Sequence, residues 1–311
     1  MKIGLIDCDH TGYPNLALMK ISAYHKANND KVDWYTPFEI YDKVYASKVF
    51  NFTPDPLPYI IFPGGTEIVK GGTGYDIHST LPEDIEYCTP DYSLYPRIDR
   101  RTAYGFLTRG CPNHCKWCVV PHKEGAVKPY MDIDQIAVQG RNRIILMDNN
   151  VLASDHGLLQ LDKIAHHSPA LYIDFNQGLD ARLVNPYVAG LLAKCRWIKN
   201  IRFACDTDAQ IEHCLSAISM IDSCGKKHRY LIYTMIHGDI AANYRRLTFW
   251  KQYDHVTIHA QPFRTYGAEV NYVPQWQKDM ARWANRKELY NSCDFMDYQP
   301  RKGFICKQYF K

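Results

Sequence analysis

Six apolar, strand-like runs recur from residue 103 onward, at intervals of roughly 25–40 residues. They cover residues 103–107, 143–147, 170–175, 201–204, 229–234 and 255–259. Helical patterns separate most of them, at residues 157–166, 185–195, 208–223 (closed by Gly225) and 239–250. A strand reached through a helix re-enters its sheet from the same end, so this alternation predicts a parallel α/β structure. Periodicity alone leaves an open sheet and a barrel both standing.

In parallel α/β structures the chemistry gathers at the C-terminal ends of the strands. Polar residues collect there in this chain. The second run is followed by Asp148, Asn149 and Asn150, and the third ends with Asp174, Asn176 and Gln177 and then Asp180 and Arg182. The fourth ends in Asp206 and Asp208, the fifth in Tyr233, Thr234 and His237, the sixth in His259, Gln261 and Arg264. Each alone reads as a turn or cap residue, Asp208 as the cap of its helix. Five strand ends of six doing this together point to a polar cleft.

Ahead of this region, residues 1–69 carry a strand at 2–7, a helix at 15–26 after Pro14, and a strand at 31–35. A third strand is expected at 58–62, ending in a Pro63-Gly64-Gly65-Thr66 turn. That order suggests a Rossmann-like open sheet. Residues 70–101 are rich in Gly, Pro and Tyr and read as a linker or an ordered loop between domains. Residues 266–311 form a basic, aromatic C-terminal extension. Residues 282–311 hold seven Lys/Arg against three Asp/Glu, which accounts for the whole net charge of +4. Such an end suits an anionic partner such as nucleic acid, or else is a solvated surface.

Eleven cysteines, odd in number and scattered, argue against a disulfide framework and for a reducing, cytoplasmic setting. No apolar run approaches the roughly 18–20 residues of a membrane span, so no membrane partner is expected. The N-terminus reads as a first strand and not as a signal peptide.

Three of those cysteines, Cys111, Cys115 and Cys118, stand in C-x3-C-x2-C spacing after a strand and a Gly110 turn. Thiolates this close converge on a soft metal centre more readily than they bridge one another. A zinc site needs a fourth ligand. His114 is the candidate for it, in a C-x2-H-C-x2-C pattern that is not a usual zinc spacing.

Cys-x3-Cys-x-aromatic-Cys after a strand, preceded by Thr108-Arg109-Gly110, resembles the signature of the radical S-adenosylmethionine (SAM) enzymes. The resemblance implies that Cys111, Cys115 and Cys118 hold a [4Fe–4S] cluster whose fourth iron binds SAM. The reduced cluster would cleave SAM to a 5′-deoxyadenosyl radical that abstracts hydrogen from a substrate. It also implies residues 102–265 as a partial (β/α)6 barrel, with Trp117 beside the adenine. Where that family carries a Gly-Gly-Glu-type motif for the SAM amino group, this chain has Met147-Asp148-Asn149-Asn150, so the role passes to Asp148 and Asn149. Asp206 and Thr234 are candidates for the ribose and carboxylate, and Arg182 for the carboxylate. The turn at 261–263 is expected near the adenine. A one-electron reductant of the flavodoxin or ferredoxin type is implied as partner.

Some members of that family carry an N-terminal cobalamin domain with an Asp-x-His-x-x-Gly motif. Asp7-Cys8-Asp9-His10-Thr11-Gly12 misplaces those residues, so cobalamin is left open and not favoured. Cys88, Cys293 and Cys306 are expected to be free thiols, and Cys195, Cys205, Cys214 and Cys224 to be packing residues. The substrate expected is a nucleic-acid base or nucleotide-like compound, suggested by the basic aromatic extension and the many tyrosines. The alternatives are a small-molecule or peptide tailoring enzyme, in one version a cobalamin-dependent methyltransferase, and a non-catalytic zinc-binding module.

Overall fold

The computed structural model describes residues 1–138, 140–264 and 272–311. They separate into two compact units, residues 1–100 and residues 101–264 with 272–311. Both are α/β with parallel sheets. The boundary expected at 265/266 lies outside the described residues.

In the first unit, β1 (Lys2–Asp7) leads into α1 (Leu16–Ala27), whose first free N–H groups are capped by the Asn15 side chain. β2 (Lys31–Trp34), β3 (Lys43–Ser47) and β4 (Glu67–Gly71) complete a parallel sheet of order β2-β1-β3-β4. The period of two splits β1 between two cores. Ile3 and Leu5 pack with Leu18, Met19 and Ile21 of α1, while Ile6 packs with Tyr41 and Val44.

The strand expected at 58–62 is absent. A single 3-10 turn, Leu57–Tyr59, stands there, with Tyr59 and Ile61 exposed. Pro56, Pro58 and Pro63 remove backbone donors that a sheet ladder needs. The third and fourth strands are instead β3 and β4, joined at their start by a Lys43–Glu67 ion pair at 2.9 Å. Residues 70–100 are not a free connector. They finish β4, form the short α2 (Glu83–Glu86), and bury Ile85 and Leu94 against Ile3 and Leu5.

In the second unit every one of the six apolar runs forms a strand. The strands are β5 (Thr102–Gly105), a short hairpin of β6 (Thr108–Arg109) and β7 (Lys128–Pro129), β8 (Arg143–Leu146), β9 (Tyr172–Phe175), β10 (Arg196–Trp197), β11 (Ile201–Ala204), β12 (Tyr230–Ile236) and β13 (Val256–Pro262). The helices are α3 (Val120–Lys123), α4 (Ile133–Ile136), α5 (Asp155–Ala165), α6 (Pro186–Lys194), α7 (Gln210–Ser223), α8 (Ile240–Phe249), α9 (Gln275–Asn285) and α10 (Lys287–Ser292). Parallel sheets β10-β9-β8-β5 and β11-β12-β13 are linked where Leu179, just past β9, bridges Phe203 of β11. Ser154, Asn185 and Asp239 cap α5, α6 and α8 with their side chains. Asp208 does not cap α7. Gln210 turns back to accept from the Asp206 and Thr207 N–H groups, and Asp208 pairs with Arg246 at 3.0 Å.

The C-terminal residues 272–311 are part of this unit's core. α9 packs on β13, and Trp283, Phe295, Tyr298 and Cys306 are buried. Buried Asp279 accepts from Arg301 Nη1 at 2.7 Å and from Tyr309 Oη at 2.5 Å, which pins the chain end. Trp283→Ala is therefore expected to destabilise the protein by about 3–4 kcal/mol in denaturant unfolding. Arg282, Arg286, Lys287, Lys302, Lys307 and Lys311 stay exposed. Among the described residues no helix is long and apolar enough to cross a membrane.

Candidate functional site

The cysteine loop leaves the C-terminal end of β5 through the β6 hairpin. Gly110 makes the turn at φ +86°, and a Cβ there would meet the Ala126 carbonyl oxygen at 2.3 Å, so no other residue fits. The Cys111 N–H then donates to the Gly125 carbonyl at 3.1 Å. Glu124 closes the neck of the loop. It accepts from Arg109 Nε at 3.1 Å, the Gly110 N–H at 2.8 Å and Asn149 Nδ2 at 2.9 Å. Arg109 lies over the Phe106 ring, 4.1 Å from its centroid. Glu124→Ala strands three donors around a mostly buried guanidinium and is expected to cost about 2–4 kcal/mol in thermal unfolding.

Asp148 holds the other side of the same turn. Its carboxylate is 4% exposed and accepts from the Leu107 N–H at 3.0 Å, the Thr108 N–H at 2.6 Å and Thr108 Oγ1 at 2.8 Å. Burial pushes its carboxyl up to about 6. Asp148, the candidate for a cofactor amine, uses its carboxylate here to shape the turn before the cysteines. Thr234 is turned inward too. It is 2% exposed, donates to the Cys205 carbonyl at 2.7 Å and accepts from Arg246 Nε at 3.0 Å.

Cys111 and Cys118 are partly buried, and Cys115 is open to solvent. The Cys118 N–H donates to the Cys115 carbonyl at 3.0 Å, so the last two cysteines share one turn. The Cys115 thiol is pushed up first by the protein around its sulfur, then by the thiols of Cys118 and Cys111. Burial leads for Cys118 as well, with Cys111 adding to it. Asn150 Nδ2 donates to Cys111 Sγ at 3.7 Å and to Asp180 Oδ2 at 3.2 Å. Its Oδ1 is buried with no partner among the described residues.

Three thiols on one loop form a donor set that fits a soft iron–sulfur centre, which would take them as thiolates. Among the described residues no group of three His, Cys, Asp or Glu side chains is gathered as a metal-ion cage. A four-iron cluster spreads its thiolates over separate irons and does not require such a cage.

The remaining expected residues ring this loop. Arg182 gives Nε to Asp180 Oδ1 at 2.8 Å and Nη2 to Oδ2 at 2.6 Å, so Asp180 holds it in a fork beside the thiols. Asn113 of the loop donates to the same carboxylate at 3.1 Å. Asp206 accepts from the Met235 N–H at 2.8 Å, and burial raises its carboxyl. Trp117 packs against His237 with ring centroids 4.8 Å apart and the planes tilted by 39°, and Phe263 packs edge-on to His237 at 6.3 Å. Gln261 and Pro262, expected in a turn, are the last two residues of β13, and Phe263 follows them.

Glu124 and Asn113 were missed by sequence reasoning, because a lone Glu or Asn within a loop carries no spacing signal. All eleven cysteines are free thiols. Cys195, Cys205 and Cys214 are buried as expected, whereas Cys224 is exposed at the end of α7.

The chain is similar to curated tRNA-2-methylthio-N(6)-dimethylallyladenosine synthases. Identity is 31% over 97 residues with the Dichelobacter nodosus protein, covering 29% of this chain and 21% of that one. With the Aeromonas salmonicida protein it is 31% over 97 residues, 29% and 20% of the two chains. With the Pseudoalteromonas atlantica protein it is 30% over 91 residues, 27% and 18%. The chain thus spans about a fifth of the length of the curated relatives it matches. With these matches its likeness to radical SAM enzymes no longer rests on cysteine spacing alone. No family model matches the chain.

Proposed function

We propose that this protein is a radical SAM enzyme acting on a nucleic-acid base. In this reading Cys111, Cys115 and Cys118 hold a [4Fe–4S] cluster, and strands β5, β8, β9, β11, β12 and β13 form a partial barrel around the substrate. The first unit is read as Rossmann-like, with no cobalamin favoured. The observation that carries the reading is a three-thiol loop at the C-terminal end of β5, with both ends of its neck tied by Glu124 and the Cys111–Gly125 bond.

Bound there, the cluster and SAM would supply a 5′-deoxyadenosyl radical for hydrogen abstraction. The chain's own residues position and shield. Asn150 orients Cys111, and the Asp180–Arg182 fork sets a guanidinium toward a carboxylate without losing its aim. Asp206 and Asn149 present acceptors to an ammonium or ribose, and Trp117 with His237 offers a flat surface for an adenine. The nucleic-acid substrate is supported by the similar proteins, which are tRNA-modifying synthases. A one-electron donor of the flavodoxin or ferredoxin type completes the set of partners.

The test is anaerobic reconstitution with iron and sulfide, followed by metal and sulfide analysis. A brown protein with matched iron and sulfide is expected. Colourless protein that takes up zinc and no iron would contradict the reading. Binding of unfractionated tRNA with a steep salt dependence is expected alongside it.

A further inference from the structure

All-parallel sheets are normally covered on both faces, yet one face of this one stays open. Ile144, Ile173, Phe203 and Ile232 are fully buried on one side, and Ile258 is nearly so. On the other, Arg202 and Tyr233 are partly accessible and His259 is exposed. An open face on a parallel sheet needs an occupant or solvent, and its side chains say which.

At its centre is a linked polar group. Arg202 Nη2 donates to Asp174 Oδ2, and Arg202 Nη1 to Tyr233 Oη. Tyr233 and His259 are paired residues of β12 and β13, with their rings edge-to-face at 5.6 Å. Asp174 is 5% exposed, and its Oδ1, like Arg202 Nε, is buried with no partner among the described residues. A sheet interior built only for stability would not leave a buried acceptor and a buried donor without partners. Gly178, at φ +87°, keeps space against Tyr233, because a Cβ there would come within 3.1 Å of the ring.

The face continues to the cysteine loop. Tyr233 and His237 lie on one side of β12 and its extension, and His259 and Phe263 on the matching side of β13. His237 packs at a tilt against Trp117 and contacts Phe263. Four residues of strand separate Tyr233 from His237, a rise of roughly 13 Å. A ligand seated at Tyr233 and His259 therefore lies on the same face as the loop's aromatic contacts, roughly 13 Å along the strands from them.

We propose that Tyr233 and His259, with Arg202 held in place by Asp174, form the seat for the substrate's unstacked base. The chemistry matches an unpaired nucleobase: two aromatic rings for its face, a guanidinium and a phenol for the acceptors on its edge. This rests on the nucleic-acid reading above. Asp174 is a positioning residue that acts through Arg202.

The test uses the full chain and a hairpin RNA with 2-aminopurine in its loop, whose emission reports stacking. Wild-type protein is expected to change the emission on binding. His259→Ala, at a solvent-exposed position, is expected to lose that change and to bind the hairpin roughly tenfold more weakly. Tyr233→Phe keeps the ring and is expected to retain the emission change with weaker binding. An emission change in His259→Ala equal to wild type would overturn the base seat while leaving the nucleic-acid reading in place. If the wild-type protein fails to bind the hairpin at low salt, the nucleic-acid reading falls, and the seat with it.

Discussion

Cys115→Ala protein is expected to take up no iron–sulfur cluster and still to unfold like the wild type. Cys115 is open to solvent and sits at the tip of a loop whose neck is tied elsewhere, by Glu124 and Gly125. Removing an exposed side chain away from those ties should change stability by no more than about 0.5 kcal/mol. Loss of one of three thiolates, by contrast, leaves a second iron without a protein ligand. The paired measurements are iron content after anaerobic reconstitution and a denaturant unfolding curve. Iron at the wild-type level in the variant would remove Cys115 from the proposed ligand set. An unfolded variant would mean that the loop has a packing role that its exposure does not indicate.

Asp148→Ala is expected to be the most damaging single substitution for stability, on the order of 5 kcal/mol, because three buried donors lose their acceptor at once. Asp148→Asn separates shape from charge. Burial raises the Asp148 carboxyl from 3.8 to about 6, so the folded protein binds this proton more tightly than the unfolded chain does. Between about pH 4 and pH 6 the folded state carries the extra proton, and stability from this group falls as pH rises. At about 1.4 kcal/mol per pH unit that fall amounts to about 3 kcal/mol. It is absent in Asp148→Asn, so the stability difference between variant and wild type should shift by that amount between pH 4 and pH 7. A constant difference across the range would show that Asp148 does not titrate there.

What could be read from the chain and what could not follows from how local each signal is. The six strands of the second unit show in the sequence because apolar runs and helix caps such as Asn185 and Asp239 are local marks. The cysteine spacing is local in the same way. The inward turn of Asp148 and Thr234 is not, since the side on which a residue at a strand end falls depends on the register with neighbouring strands. β3 and β4 are short and interrupted by charge, while the proline-flanked 58–62 run looked more like a strand than either. The C-terminal residues read as a basic tail because lysines mark the surface, whereas Trp283 and Phe295 are buried against helices distant in sequence.

The measurement that bears most directly on the proposed function is 5′-deoxyadenosine formation from SAM by the anaerobically reconstituted, reduced protein. Formation that disappears in each of Cys111→Ala, Cys115→Ala and Cys118→Ala is the predicted result. Reconstituted protein that binds iron yet forms no 5′-deoxyadenosine, or forms it equally in the three variants, would contradict the account.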